Sequence, residues 1–211
     1  MSLVGKKFPS VAIDAMSEMG DLLKVDVYKE AVNNKKKVVL FWYPKDFTFV
    51  CPTELHAFQE AIKEFEKRNT LIIGASCDTA EVHFAWLNTP KDNGGIEGVT
   101  YPILADTHRY LAGELGILDA GYEVNDETGD VILSGSNVSF RATYLIDEEG
   151  KVFHESVNDM PVGRNVQEYL RLIDAYAHVQ KHGEVCPANW EEGKKAMNAD
   201  REGVASYFSE N

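Results

Sequence analysis

Apolar and polar residues along this chain change period several times, from unbroken runs to the three-and-four spacing of helices. Residues 38–43, Val-Val-Leu-Phe-Trp-Tyr, are too few and too β-branched for a helix, which predicts a buried strand ended by Pro44. Over residues 52–68, Leu55, Phe58, Ile62 and Phe65 share one face while Glu60, Lys63, Glu64 and Lys67 take the other, the pattern of an amphipathic helix. The run 71–76 predicts a second buried strand. Residues 79–87 predict a helix capped by Thr79, with Val82, Ala85 and Trp86 inward. A turn-rich loop over 89–95 leads to a short strand at 101–104 and a helix at 107–115. Residues 138–146 alternate as a strand, 147–150 turn the chain, and 151–157 return antiparallel. The last long helix spans 164–181, with Val166, Tyr169, Leu170, Ile173 and Ala177 on one face.

Strands alternating with helices, followed by a hairpin and a closing helix, predict an α/β domain with a mixed central sheet over residues 1–181. From His182 the periodicity fades, so 182–211 reads as a polar C-terminal arm carrying Tyr207 and Phe208. The acidic, Gly-rich stretch 119–136 predicts a surface hairpin turning at Asp126-Glu127-Thr128-Gly129.

With 211 residues, 44% of them hydrophobic, the chain can bury one large core. Its formal net charge of −13 repels phosphate backbones and anionic lipid, which argues against nucleic acid and membrane surfaces as partners. The opening residues lack the apolar core of a signal peptide and no run approaches a membrane span, so the expected location is cytoplasmic. Three cysteines are too few for a disulfide scaffold, and each needs its own argument.

Cys51 lies where the first strand gives way to the first helix. Helix-opening N–H groups lack internal partners and carry the positive end of the macrodipole, so they favour a thiolate; Pro52 suits the first turn and Thr48 can offer its hydroxyl. The alternative is an inert thiol packed as a small hydrophobe. Arg141 is a lone charge in an apolar strand and must be paired or functional. Cys186, on the arm, can attack an oxidised Cys51 and complete a disulfide cycle, the alternative being a tail thiol with no role, whereas Cys77 at the end of a strand reads as a core thiol. His178, His182 and Cys186 recur at intervals of four, but Gly183 and Pro187 interrupt the helix that would align them and a fourth ligand is missing, which argues against a metal. His56, His83, His108 and His154 share no spacing and read as surface or core hydrogen-bonders.

Together these residues resemble the typical 2-Cys peroxiredoxins, the family of thioredoxin peroxidases and of the peroxidase component of bacterial alkyl hydroperoxide reductase. Pro44, Thr48 and Cys51 match its proline, threonine and cysteine pattern inside Phe-Thr-Phe-Val-Cys-Pro-Thr-Glu. Arg141 matches the arginine at the attacking thiolate; Glu54 and Arg164 match supporting positions; Cys186 in Glu-Val-Cys-Pro-Ala-Asn-Trp matches the resolving cysteine. Tyr207-Phe208 matches a terminal aromatic pair that packs over the first helix. Gly94-Gly95-Ile96-Glu97 keeps only the first half of a Gly-Gly-Leu-Gly loop linked to overoxidation, and residues 119–136 look inserted.

The resemblance implies a thioredoxin-like fold and an antioxidant, cofactor-free peroxidase reducing hydrogen peroxide and alkyl hydroperoxides. It implies a Cys51–Cys186 disulfide between the subunits of a homodimer, recycled by thioredoxin or a flavoprotein disulfide reductase, and a decamer of five dimers. The rival functions are a ring-forming holdase and a thioredoxin-like disulfide oxidoreductase; the latter needs Cys-x-x-Cys, where this chain has Glu54.

Overall fold

The computed structural model of the protein describes residues 2–209 and divides after Arg164 into two compact units. The first unit contains β1 (Ala12–Met16), β2 (Leu22–Asp26), α1 (Val27–Asn34), β3 (Lys37–Trp42), α2 (Cys51–Glu60), α3 (Ile62–Lys67), β4 (Thr70–Ser76) and α4 (Ala80–Leu87). It continues through β5 (Ile103–Ala105), α5 (Tyr110–Glu114), β6 (Leu118–Val124), β7 (Val131–Ser139), β8 (Arg141–Ile146) and β9 (Val152–Asn158). The second unit holds α6 (Val166–His182) and α7 (Arg201–Ser209).

A mixed seven-stranded sheet in the order β2-β1-β5-β4-β3-β8-β9 organises the first unit. The β3–β4 and β4–β5 pairs are parallel; the others are antiparallel. Every residue of β3 is buried, as its unbroken apolar run requires, and even Lys37 is covered while its ammonium reaches Glu148 at 2.7 Å. Phe41 stacks on Phe58 of α2 with ring centroids 4.1 Å apart, and Phe65 of α3 is fully buried.

Several sequence expectations are met closely. Thr79 caps α4 by accepting a hydrogen bond from the Val82 amide at 3.3 Å. The stretch 119–136 does form a hairpin, β6 with β7, closed where Asn125 N–H donates to the Asp130 carbonyl.

Other expectations are corrected. The helix foreseen over 52–68 is two helices, because Ala61 swings to φ −89 and ψ 0 and its carbonyl accepts from both Glu64 and Phe65 amides, tightening the turn there. In α4 it is His83, not Val82 or Ala85, that points inward with Trp86. The strand foreseen over 138–146 breaks at Phe140: β7 ends the exposed ribbon and β8 enters the central sheet. The helix foreseen from 107 begins only at Tyr110, since Arg109 adopts a left-handed φ of 55.

Residues 12–34, without a clear period, fold as the β1–β2 hairpin and α1. The first three residues of β2 are exposed, and α1 starts where Asp26 accepts from the Lys29 amide. In the second unit, Asn165 caps α6 and Gly183, at φ 69, ends it. The arm expected to be irregular contains α7, none of whose described residues is buried, which is why no apolar stripe announced it; residues 210–211 lie outside the described ones. Among the described residues, no helix is long and apolar enough to cross a membrane.

Candidate active site

The loop between β3 and α2 is fixed from beneath by a buried polar network. Asp46 accepts from the Tyr43 hydroxyl at 2.8 Å and lies 2.7 Å from His83 Nδ1, while His83 Nε2–H donates to the Leu104 carbonyl at 3.1 Å. A carbonyl only accepts, so Nε2 carries a hydrogen and the Asp46–His83 pair holds one further proton between them. Burial pushes the Asp46 carboxyl upward, against the pull of His83, and holds the Tyr43 phenol well above its ordinary value, so it remains a donor. The Asp46 amide donates to Asp78, which is held in turn by Ser76. Sequence reasoning reads His83 only as a surface or core hydrogen-bonder, which it is, and gives Tyr43, Asp46 and Asp78 no role; Asp46 and His83 lie 37 positions apart with no shared pattern.

Held in this way, the loop delivers Cys51 to the first position of α2, fully buried, with Val50 as cap and Pro52 in the first turn. Thr48 Oγ lies 2.9 Å from Cys51 Sγ and 2.8 Å from the Lys45 carbonyl. One hydroxyl carries one proton, so Thr48 can donate to Lys45 while the sulfur keeps its own hydrogen, then turn that donor to the sulfur once it becomes an anion. Pro44 is buried at the base of the loop.

Three charged side chains meet beside the sulfur. Arg141, the first residue of β8, directs Nη1 at Cys51 Sγ over 3.4 Å and at Glu54 Oε2 over 2.6 Å, while its Nε donates to the Met160 carbonyl. Glu54, one helical turn after Cys51, is also ion-paired with Arg164 Nη1 at 2.8 Å and accepts from the Arg164 amide at 3.0 Å. Arg164 is anchored further by Thr143 Oγ at 2.8 Å and by the carbonyls of Ala142 and Trp42, with its guanidinium over the Phe41 ring. All three side chains are almost completely buried. Two guanidiniums against one carboxylate leave one formal positive charge, and Arg141 presents it to the sulfur. Such a cluster is sustained because every charge is paired and hydrogen-bonded.

The structure thus brings Pro44, Thr48, Cys51, Glu54, Arg141 and Arg164 into one site of the first unit. Cys186 belongs to the second unit, half-buried, with its thiol 3.6 Å from the Ala175 carbonyl; burial first, then Glu184, raises its pKa, with Arg171 opposing. Cys77 is buried at the end of β4 and its thiol is pushed up to about 11, chiefly by burial. All three cysteines are free thiols. Among the described residues, no group of three or more His, Cys, Asp and Glu side chains is arranged to hold a metal ion, and His178 pairs instead with Glu184 at 2.8 Å.

Comparison with known proteins places the chain in a family. The family model described as AhpC/TSA family matches residues 4–155, and that described as C-terminal domain of 1-Cys peroxiredoxin matches residues 175–210. The chain is 43% identical over 190 residues to alkyl hydroperoxide reductase C of Helicobacter pylori, covering 89% of this chain and 88% of that one. It is 45% identical over 173 residues to peroxiredoxin 2 of Drosophila melanogaster, covering 82% of each. Among solved structures, the reduced 2-Cys peroxiredoxin of Plasmodium vivax superposes with a TM-score of 0.87 at 38% identity, covering 99% of this chain and 100% of that one.

Proposed function

The chain belongs to the AhpC/TSA family and is a peroxiredoxin, and we propose that it reduces hydroperoxides at Cys51, with Cys186 of a second subunit as the resolving thiol. The observation that carries this reading is the pair of donors on Cys51 Sγ, Thr48 Oγ at 2.9 Å and Arg141 Nη1 at 3.4 Å, on a sulfur that opens a helix.

In the proposed reaction the Cys51 thiolate attacks the terminal peroxide oxygen. A sulfur–oxygen bond forms as the oxygen–oxygen bond breaks, and the second oxygen leaves as alkoxide or hydroxide. Thr48, the Cys51 backbone N–H and Arg141 hold the two oxygens in line and meet the charge on the leaving group. Glu54 and Arg164 keep Arg141 in place, and Pro44 shapes the loop. Cys51 sulfenic acid then condenses with the Cys186 thiol, releasing water, and an external dithiol reductase, thioredoxin or a flavoprotein disulfide reductase, regenerates both thiols. The working assembly is a homodimer, assembled further into a decamer, in the cytoplasm.

The test is a pair of variants. Cys51→Ser is expected to abolish peroxide turnover; Cys186→Ser should keep one rapid oxidation, lose recycling, and lose the dimer band of the oxidised parent in non-reducing electrophoresis. Equal peroxide consumption by Cys51→Ser and the parent would end this reading.

A further inference from the structure

Cys186 is held by the second unit more firmly than a thiol on a loose arm would be. Arg171, Ala175 and His178 follow one another at spacings of four and three, so they form a stripe on one face of α6. After Gly183 turns the chain, the following loop lies back along that stripe in antiparallel order. His178 Nε2–H donates to the Glu184 carboxylate at 2.8 Å; the Cys186 thiol donates to the Ala175 carbonyl at 3.6 Å; Arg171 Nη1 donates to the Trp190 carbonyl at 3.0 Å. The thiol therefore sits at the centre of three contacts, with a side-chain tie on either side. The Trp190 ring, almost fully buried, rests 5.0 Å from that of His178, and Val185 exchanges backbone hydrogen bonds with Met197, closing the loop from its other edge.

Held in this place the sulfur is a poor nucleophile. Its hydrogen is engaged with a helix carbonyl, and burial together with Glu184 favours the protonated form over the opposing Arg171. To react, Cys186 must give up that proton and the sulfur must turn away from α6.

We propose that His178 and Arg171 are positioning residues for the resolving step: with Glu184 and the Trp190 carbonyl they form a clasp that parks the Cys186 thiol on α6 and sets how fast it is released. The inference rests on the reading of Cys186 as the resolving cysteine. In the step it governs, the Cys186 sulfur forms a bond to the Cys51 sulfur, the Cys51 sulfur–oxygen bond breaks, and the departing hydroxide takes the thiol proton as water. No further oxidant is needed, because the sulfenic acid already carries the oxidising equivalents.

The experiment follows the reduced full-length protein by rapid mixing with hydrogen peroxide, resolving sulfenic acid formation from disulfide formation. His178→Phe keeps a ring beside Trp190 and removes the donor; Glu184→Ala removes the acceptor from the exposed side; His178→Gln keeps a donor. The first oxidation should be unchanged in all three. Disulfide formation should accelerate about three- to tenfold in His178→Phe and Glu184→Ala, the order expected for a partly exposed charge-assisted hydrogen bond, and the sulfinic fraction under excess peroxide should fall. His178→Gln should stay within about twofold of the parent.

A disulfide rate that is unchanged or slower in either of the first two variants overturns the clasp, as does equal acceleration in His178→Gln. Cys186→Ser separates the two levels of argument. If it still forms the disulfide, the functional reading has failed; if it does not, and the clasp variants behave as the parent, only the present inference has.

Discussion

Removing the Glu54 carboxylate should cost the fold several kcal/mol, about the size of a broken buried ion pair. Its two carboxylate oxygens accept from Arg141 Nη1 at 2.6 Å and the Arg164 amide at 3.0 Å and are ion-paired with Arg164 Nη1 at 2.8 Å, and the side chain is 3% exposed. In Glu54→Ala both buried guanidiniums lose the carboxylate they share, and breaking a buried pair by deleting one partner costs about 3–5 kcal/mol. For a chain of this size each kcal/mol lowers Tm by about 2–4 °C, so the expected fall is about 6–20 °C. Glu54→Gln should lose less. Its amide oxygen can face the two guanidiniums, but its NH2 then meets the Arg164 N–H, donor against donor, which forfeits one bond worth about 1.5–3 kcal/mol. Activity should drop with stability: Arg141 Nη1 is shared between Glu54 and the sulfur, and without its anchor the donor wanders, slowing the first oxidation about tenfold in the alanine variant. The measurement is urea unfolding of the reduced protein at fixed concentration, with stopped-flow oxidation alongside. An alanine variant within about 1 kcal/mol of the parent would refute the argument that the Glu54 carboxylate holds this cluster.

Three further outcomes follow from the same contacts. Arg141→Ala should slow peroxide reduction by at least about tenfold while the protein remains folded by circular dichroism; an unfolded variant would make Arg141 a structural ion pair, and a folded, fully active one would leave it without a role. Cys77, raised to about 11 by burial from an ordinary value of 9.0, keeps its proton in the native state after the unfolded chain has lost it. Its contribution to stability should therefore be complete below pH 9 and be lost as pH rises toward 11, a loss absent from Cys77→Ala in pH-dependent unfolding. The 94–97 loop is tied to α2 where His56 Nε2 meets the Gly95 carbonyl at 3.1 Å and to α4 where Trp86 Nε1 donates to the Gly94 carbonyl at 2.9 Å. His56→Ala should thus ease unwinding of α2 and lower the sulfinic acid formed at Cys51 under graded peroxide, read by mass spectrometry, while Glu97→Gly, at an exposed position, should raise it; no change in either variant would mean that this loop does not limit unwinding.

What was legible in the sequence has a short range. Strand β3 is written in one apolar run, α2 in residues three and four apart, and the nucleophile at their junction follows from the order strand, proline, cysteine, proline. The counter-charges are not written locally. Arg141 lies 87 positions from Glu54, and the Arg164 amide that joins them is 110 positions away; only the placing of β8 beside β3, and the return of the chain after β9, bring them to the first turn of α2. Resemblance to a family named those residues without saying that one carboxylate unites both arginines. The network beneath the loop escaped for the same reason, since Asp46 and His83 carry no shared period and meet only because α4 packs over β5. Irregular local structure was missed for a different one: the break at Ala61 interrupts no apolar stripe, the switch at Phe140 lies inside a good alternation, and α7 buries nothing. The Cys186 loop falls between these cases. Its contacts join residues 171 with 190, 175 with 186 and 178 with 184, pairs whose numbers nearly share one sum, as the two arms of any hairpin do. A helix arm with period 3.6 facing an arm with none hides that symmetry from every periodicity test, although all six residues lie within one short stretch of chain.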